Sequence, residues 1–176
     1  CALVIRHLRP FTAADLELLQ EFAQKHEVYL LLQPGNYDSI HLLWPKQSTP
    51  FLLEQSLPQY DLTLRYAPTE FAQINPAINK QMIDQALSWL DIQANDTILD
   101  LFCGFGNFTL PMARQAGHVT GIELNPAAIQ RAGENAQLNQ IDNAEFITAD
   151  LTQDLQQFKL SHKQFAKVLL DPPRSG

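Results

Sequence analysis

The sequence predicts an α/β fold, a parallel sheet with crossover helices, preceded by a small α+β subdomain. Three observations lead there. From about residue 70 onward, helical stripes alternate with single short apolar runs, the pattern of βαβ crossovers. Two of those stripes open with an Asn-Pro pair, an N-cap followed by a first helical residue: Asn75-Pro76 and Asn125-Pro126. A buried-type run then delivers two closely spaced glycines, Gly104 and Gly106, into a further helical segment. The expected division is residues 1–68 for the α+β subdomain and 69–176 for the sheet with its helices.

The first part opens with Ala2–Ile5, an apolar run suited to a strand. Thr12 stands where an N-cap belongs, before a helix whose Leu16, Leu19 and Phe22 recur at helical spacing. Val28–Leu32 is β-rich. Pro34, Gly35 and Asn36 supply turn chemistry before Ile40–Trp44, so these read as a hairpin. Leu62, Leu64 and Tyr66 alternate as another strand. In the second part, Ile78, Met82, Ile83, Ala86, Leu87 and Leu90 stripe a helix that opens at Asn75-Pro76. Four strands follow: Thr97–Phe102, Val119–Glu123, Ala144–Ala149 and Phe165–Asp171. Helices are expected over Asn107–Ala116 and Pro126–Leu138.

Composition narrows the function classes. The formal charge of −7, with only 12 basic residues, excludes a complete nucleic-acid-binding protein, because neutralising phosphates takes clustered Lys and Arg. No apolar stretch approaches the ~20 residues of a membrane-spanning helix, and no secretory leader is visible, so the expectation is a cytoplasmic chain without a membrane partner. A chain opening on Cys1 instead of Met reads as a processed or excised piece. Its two cysteines, Cys1 and Cys103, make neither a disulfide framework nor a metal cluster, and His7, His26, His41, His118 and His162 lack ligand spacing. Trp44 and Trp89 read as packing anchors.

The chemistry concentrates in Ile98-Leu-Asp-Leu-Phe-Cys-Gly-Phe-Gly-Asn107, a strand feeding a glycine turn that opens a helix. Glycines there let the backbone approach a ligand, and the helix start offers unpaired N–H groups to a nucleotide-like molecule. The third glycine of the dinucleotide fingerprint would fall at Thr109, which disfavours a nicotinamide oxidoreductase. Asp100, an acid within the approach strand, suits a cationic sulfonium better than a pyrophosphate. Glu123 ends the next strand 17 residues after Gly106, where a βαβ unit places a ribose-binding carboxylate. Asp150 ends the third strand, as an acceptor for an adenine amino group or as a helix N-cap. Asp171 ends the fourth. Ligands of open α/β sheets bind at the carboxyl ends of the strands, where all these groups converge.

The segments Phe71-Ala-Gln-Ile-Asn75, Leu99-Asp-Leu-Phe-Cys-Gly-Phe-Gly-Asn-Phe-Thr109 and Leu169-Leu-Asp-Pro-Pro-Arg-Ser-Gly176, in this order and spacing, resemble the RNA uracil-5-methyltransferase family. Within it, the Ala-Leu-Ser-Trp-Leu run at 86–90 and the residues following the glycines resemble the bacterial 23S ribosomal RNA branch more than the tRNA branch. The resemblance is specific over 71–176 and weaker over 2–66. It implies a Rossmann-like S-adenosylmethionine-dependent methyltransferase sheet, incomplete at its C-terminal end, that makes 5-methyluridine. It also implies that Gln73, Phe102, Asn107, Glu123, Asp150 and Asp171 contact S-adenosylmethionine; Gln73 is identified by the resemblance alone.

In that family a cysteine thiolate adds to C6 of the uracil, and a base removes the C5 proton after methylation. Both follow the Asp-Pro-Pro-Arg-Ser-Gly motif, so the expectation is a fragment that binds the cofactor, lacks catalytic residues of its own and does not turn over. Cys103, inside the cofactor loop, is expected to pack and not to react. The resemblance further implies an oligonucleotide-binding barrel and a 4Fe-4S cluster in the parent, whose ligands are not in this chain, with 23S ribosomal RNA as partner. Sheet surface left bare is expected to promote self-association. Alternatives are a methyltransferase acting on tRNA and a non-catalytic nucleotide- or RNA-binding module.

Overall fold

The computed structural model describes residues 2–36, 39–46, 51–152 and 164–173. Cys1, His162 and the Arg-Ser-Gly end of the last motif lie outside them. Two units divide the chain: residues 1–53 with 67–69, and residues 54–66 with 70–176.

In the first unit, β1 (Ala2–Arg6), α1 (Ala13–Lys25), β2 (Tyr29–Gln33) and β3 (His41–Trp44) form a three-stranded sheet in the order β1-β2-β3 with one crossover helix. β1 runs parallel to β2, in register from Ala2 opposite Tyr29 to Arg6 opposite Gln33, and β3 returns antiparallel as the expected hairpin. Thr12 caps α1 in a reciprocal capping box: its hydroxyl accepts the Asp15 N–H, and the Asp15 carboxylate accepts the Thr12 N–H. The helix stops at His26, and Glu27 takes the left-handed conformation that reverses the chain. Leu30, Leu31 and Leu32 of β2 are buried.

The second unit begins with β4 (Leu53–Leu57) and β5 (Leu62–Tyr66), a two-stranded ribbon turned by a 3-10 segment at Pro58–Tyr60. The sequence reading missed β4. Leu53, Gln55 and Leu57 alternate with exposed Glu54 and Ser56, but a glutamine in an inward position broke the apolar pattern. The boundary expected at residue 68 assigned this ribbon to the first unit. It groups instead with the second, because Leu57, Leu62 and Leu64 belong to the same core cluster as Ile83, Ile98, Leu110 and Met112.

Next come α2 (Pro76–Leu90), β6 (Thr97–Leu101), α3 (Thr109–Ala113), β7 (His118–Glu123), α4 (Pro126–Leu138), β8 (Ala144–Thr148) and β9 (Lys167–Leu170). Asn75 and Asn125 cap α2 and α4 through their side-chain oxygens, each followed by proline, as expected. The strands form an all-parallel sheet in the order β8-β7-β6-β9.

Three details depart from expectation. α3 is shorter than the expected Asn107–Ala116: residues 107–108 belong to the turn that follows Gly106, and the helix ends at Ala113, after which the N–H groups of Gln115 and Ala116 both close on the Met112 carbonyl. The buried line of α2 is Asn79, Ile83 and Leu87, while Ile78 is half exposed. Trp89 is 80% exposed and lies outside the core.

Candidate cofactor site

The parallel register assembles the site. Leu101 of β6 stands opposite both Ile122 of β7 and Leu170 of β9, and Glu123 stands opposite Thr148 of β8. One residue further along, Asp171, Phe102, Glu123 and Thr148 continue a single row across the carboxyl edge. The backbone N–H of Asp171 reaches the Leu101 carbonyl at 3.5 Å, and that of Ala149 reaches the Glu123 carbonyl at 3.0 Å, so the row persists as the strands end. Asp150 follows directly, its carboxylate accepting the N–H and hydroxyl of Thr152. Glu123 accepts the backbone N–H of Asn125 at 2.9 Å through one oxygen, which fixes the carboxylate at the mouth of the β7–α4 turn. Asp150 and Glu123 are partly buried, and Asp171 is exposed.

The glycine loop is bent tightly. Phe102, at φ 65°, turns the chain so that the Cys103 N–H returns to the Ile122 carbonyl, and the Gly106 N–H then closes on the Cys103 carbonyl. An aromatic residue in the left-handed region costs on the order of 1–3 kcal/mol and is tolerated where the surroundings dictate it, typically at binding sites. Gly104, at φ +55°, faces open space, with no atom within 4 Å of where a Cβ would stand. Gly106, at φ +94°, would place a Cβ 3.2 Å from Leu110. The first glycine therefore leaves a backbone cradle open to a ligand, and the second lets the loop pack onto α3.

Under the cradle, Asp100 is buried and accepts the Thr109 hydroxyl at 2.5 Å. Burial pushes its carboxyl up from 3.8 to about 7; the Thr109 hydrogen bond opposes this, and the charge of Asp171 adds to it. Across the window from pH 3.8 to about 7, folded Asp100 keeps a proton that the unfolded chain has lost. Stability contributed by this group is therefore complete below the lower value and declines as pH rises through the upper one. Asp100→Asn is expected to abolish that decline. Urea midpoints at about pH 5 and about pH 8 measure it, and parallel pH profiles for the two proteins would refute the assignment.

Cys103 is 5% exposed, with burial pushing its thiol far above the usual range and the nearby charges of Asp100 and Glu123 adding to the effect. It stays a neutral thiol, unsuited to nucleophilic attack. Its sulfur fills the space beside Gly121, where a Cβ would stand only 2.8 Å from Sγ. Packing is its role. The residues do not fit an iron–sulfur cluster: among the described residues no group of three or more His, Cys, Asp or Glu is arranged to hold a metal.

Two further asparagines shape the site, and the sequence reading overlooked both. Asn79 of α2 is fully buried and pairs reciprocally with Asn107, each amide donating to the other at 2.8 and 3.0 Å. Asn135 of α4, 1% exposed, accepts the Arg65 N–H and donates to the carbonyls of Arg65 and of Phe105 in the glycine loop. Asn139 repeats the pattern one turn later on Thr63 of β5. The available signal was a polar residue in the buried line of an amphipathic helix.

Gln73 lies half-buried two residues before the cap of α2. The segment leading to it is tied to α4 by Glu70, whose carboxylate stands 3.8 Å from Arg131 Nε, and Tyr66 stacks on Phe105 at 5.1 Å. Phe102, Glu123 and Asp171 thus fall at one sheet edge with Asp150 directly beyond it, and Asn107 follows the glycine loop that opens there. Gln73 lies on the chain leading into α2, which Asn79 ties to Asn107 beside the glycine loop.

Comparison with known proteins agrees with this geometry. The sequence model of a family described as tRNA (Uracil-5-)-methyltransferase matches residues 50–176. The protein called 23S rRNA (uracil(1939)-C(5))-methyltransferase RlmD of Xanthomonas campestris pv. campestris strain 8004 is 51% identical over 99% of this chain and 39% of its own length. The protein of the same name from Hahella chejuensis is 48% identical over the whole chain and 40% of its own length. This chain therefore spans about two fifths of the length of these relatives. Among solved structures, the Pyrococcus abyssi tRNA (uracil-54, C5)-methyltransferase in complex with S-adenosyl-L-homocysteine superposes with a TM-score of 0.64 at 25% identity, over 85% of this chain and 35% of that one.

Proposed function

The chain belongs to the tRNA (uracil-5-)-methyltransferase family, and from that membership we propose that it binds S-adenosylmethionine at the carboxyl edge of β6–β9. Over the full length of its relatives, the protein methylates C5 of a uridine in 23S ribosomal RNA. The observation that carries the reading is the transverse row of strand ends flanking an open glycine cradle.

When bound, the cofactor supplies an electrophilic methyl group on a sulfonium. The chain's residues bind and orient it. The Glu123 carboxylate has a second oxygen for ribose hydroxyls, beyond the one that holds the Asn125 N–H. Asp150 accepts from the adenine amine. Phe102, at the bend, lies beside the cofactor, and Asn107, Gln73 and Asp171 contact its remaining polar groups. The carboxylates at this edge also favour a cation over a pyrophosphate, which would meet Glu123 and Asp171 unfavourably. The relatives at about half identity carry the 23S name, which favours that substrate over tRNA.

Calorimetric titration tests the site: S-adenosylhomocysteine is expected to bind with one-to-one stoichiometry and a nicotinamide dinucleotide not at all. A folded chain that takes up RNA yet no adenosyl ligand would instead establish a non-catalytic RNA-binding module. For the substrate, the full-length protein is expected to methylate 23S ribosomal RNA and leave tRNA unmodified, and the opposite result would transfer the assignment to tRNA.

No helix among the described residues is long and apolar enough to cross a membrane, and cytoplasmic residence is part of the proposal. The 4Fe-4S cluster belongs to the proposal only for the longer protein, since the residues here do not fit it. Self-association belongs to it as well. Among the described residues β9 ends the sheet order, and its Val168 and Leu170 are 52% and 61% exposed on one face, which a second copy of the chain would cover. Sedimentation is expected to show concentration-dependent dimers that Leu170→Lys abolishes. A strictly monomeric chain at high concentration would refute this.

A further inference from the structure

Asn107 is engaged by a residue that cannot itself touch a ligand. Asn79 has no exposed surface, yet its amide donates to Asn107 Oδ1 at 2.8 Å and accepts from Asn107 Nδ2 at 3.0 Å. A flip of the Asn107 amide alone would set donor against donor and acceptor against acceptor, so the pair fixes its plane and ties its polarity to that of Asn79. One N–H and one lone pair of Asn107 remain for a ligand, in a defined direction. The pair also spans two segments: Asn79 lies one turn past the Asn75 cap, and Gln73 lies two residues before that cap. An apolar residue would fill this core position on α2, between the cap and Ile83, more cheaply, because a buried amide costs free energy unless it is paired.

We infer that Asn79 is a positioning residue of the cofactor site, which orients the Asn107 amide and holds the glycine loop against the start of α2. This rests on the cofactor reading above. Asn79 acts through Asn107, so its effect on binding should vanish when Asn107 is gone, whereas a purely structural residue would weaken binding in either background.

The test is a double-mutant cycle read by calorimetric titration with S-adenosylhomocysteine, on the wild-type chain, Asn79→Leu, Asn107→Ala and the double variant. Leucine keeps the side-chain volume, and Asn79→Ser provides a second variant should leucine unfold the chain. Asn79→Leu is expected to weaken binding about tenfold, the worth of one well-oriented hydrogen bond, and to cause no further loss on the Asn107→Ala background. Equal losses in both backgrounds, or no loss from Asn79→Leu in a folded chain, would overturn the positioning role and leave the cofactor site standing. Absence of binding by the folded wild-type chain would overturn both.

Discussion

Glu123→Ala is expected to weaken S-adenosylhomocysteine binding about 100-fold while the chain stays folded. A carboxylate that accepts both hydroxyls of a ribose makes two charge-assisted hydrogen bonds of about 1.5 kcal/mol each, and 1.4 kcal/mol corresponds to a tenfold change in affinity. The side chain sits where the parallel register carries β7 to the binding edge, opposite Thr148 and one residue past Ile122. One oxygen already holds the Asn125 N–H, so alanine also releases that turn. Asn125 still caps α4 through its own side chain, which confines the structural cost. Glu123→Gln separates the two effects: it can keep the bond to Asn125 and loses the charge, so an intermediate loss of about tenfold is expected. Unchanged affinity in Glu123→Ala would remove the ribose from this edge and with it the orientation of the cofactor.

The largest expected effect on stability is at Asn135. Its buried amide satisfies three backbone groups from two other segments: the N–H and C=O of Arg65 on the free side of β5, and the carbonyl of Phe105 in the glycine loop. The side chain thereby stands in for a missing strand. Asn135→Leu preserves volume and strands these groups without partners, which is expected to cost about 3 kcal/mol, read as a lower urea midpoint at unchanged slope. Asn139→Leu is expected to cost less, since Asn139 is only partly buried and water can replace it at Thr63. A loss below about 0.5 kcal/mol at Asn135 would show that the ribbon does not depend on the amides. Loss of the Phe105 bond should also loosen the glycine loop, so Asn135→Leu would weaken cofactor binding beyond what its stability loss explains.

Much of the second unit was legible because its signals are local. The Asn-Pro caps placed the starts of α2 and α4 to the residue, since a side-chain cap and a proline act on N–H groups within one turn. Strands buried on both faces read as apolar runs whatever packs on them, which located β6 and β7 to within a residue, and the apolar Phe146 and Ile147 located the more exposed β8 equally well. The acids at strand ends were visible for the same reason, each closing such a run. β4 escaped because Gln55 occupies an inward position, and α3 was drawn too long because the turns at 107–108 and 114–116 that bound it leave no mark in a sequence of ordinary residues.

By itself, then, the sequence determined the order of strands and helices from α2 to β9, the glycine turn and the acids that flank it, because each depends on groups only a few residues apart. Tertiary structure alone decided that the β4–β5 ribbon joins the sheet unit, that Asp171, Phe102 and Glu123 fall in one row, and that burial beside Asp171 raises the Asp100 carboxyl. It also decided the amide contacts from Asn79 to Asn107 and from Asn135 to Arg65, 28 and 70 residues apart. Burial and hydrogen-bond pairing are properties of the packed chain: an asparagine is an ordinary polar residue until two distant backbones close around it and water can no longer satisfy its amide.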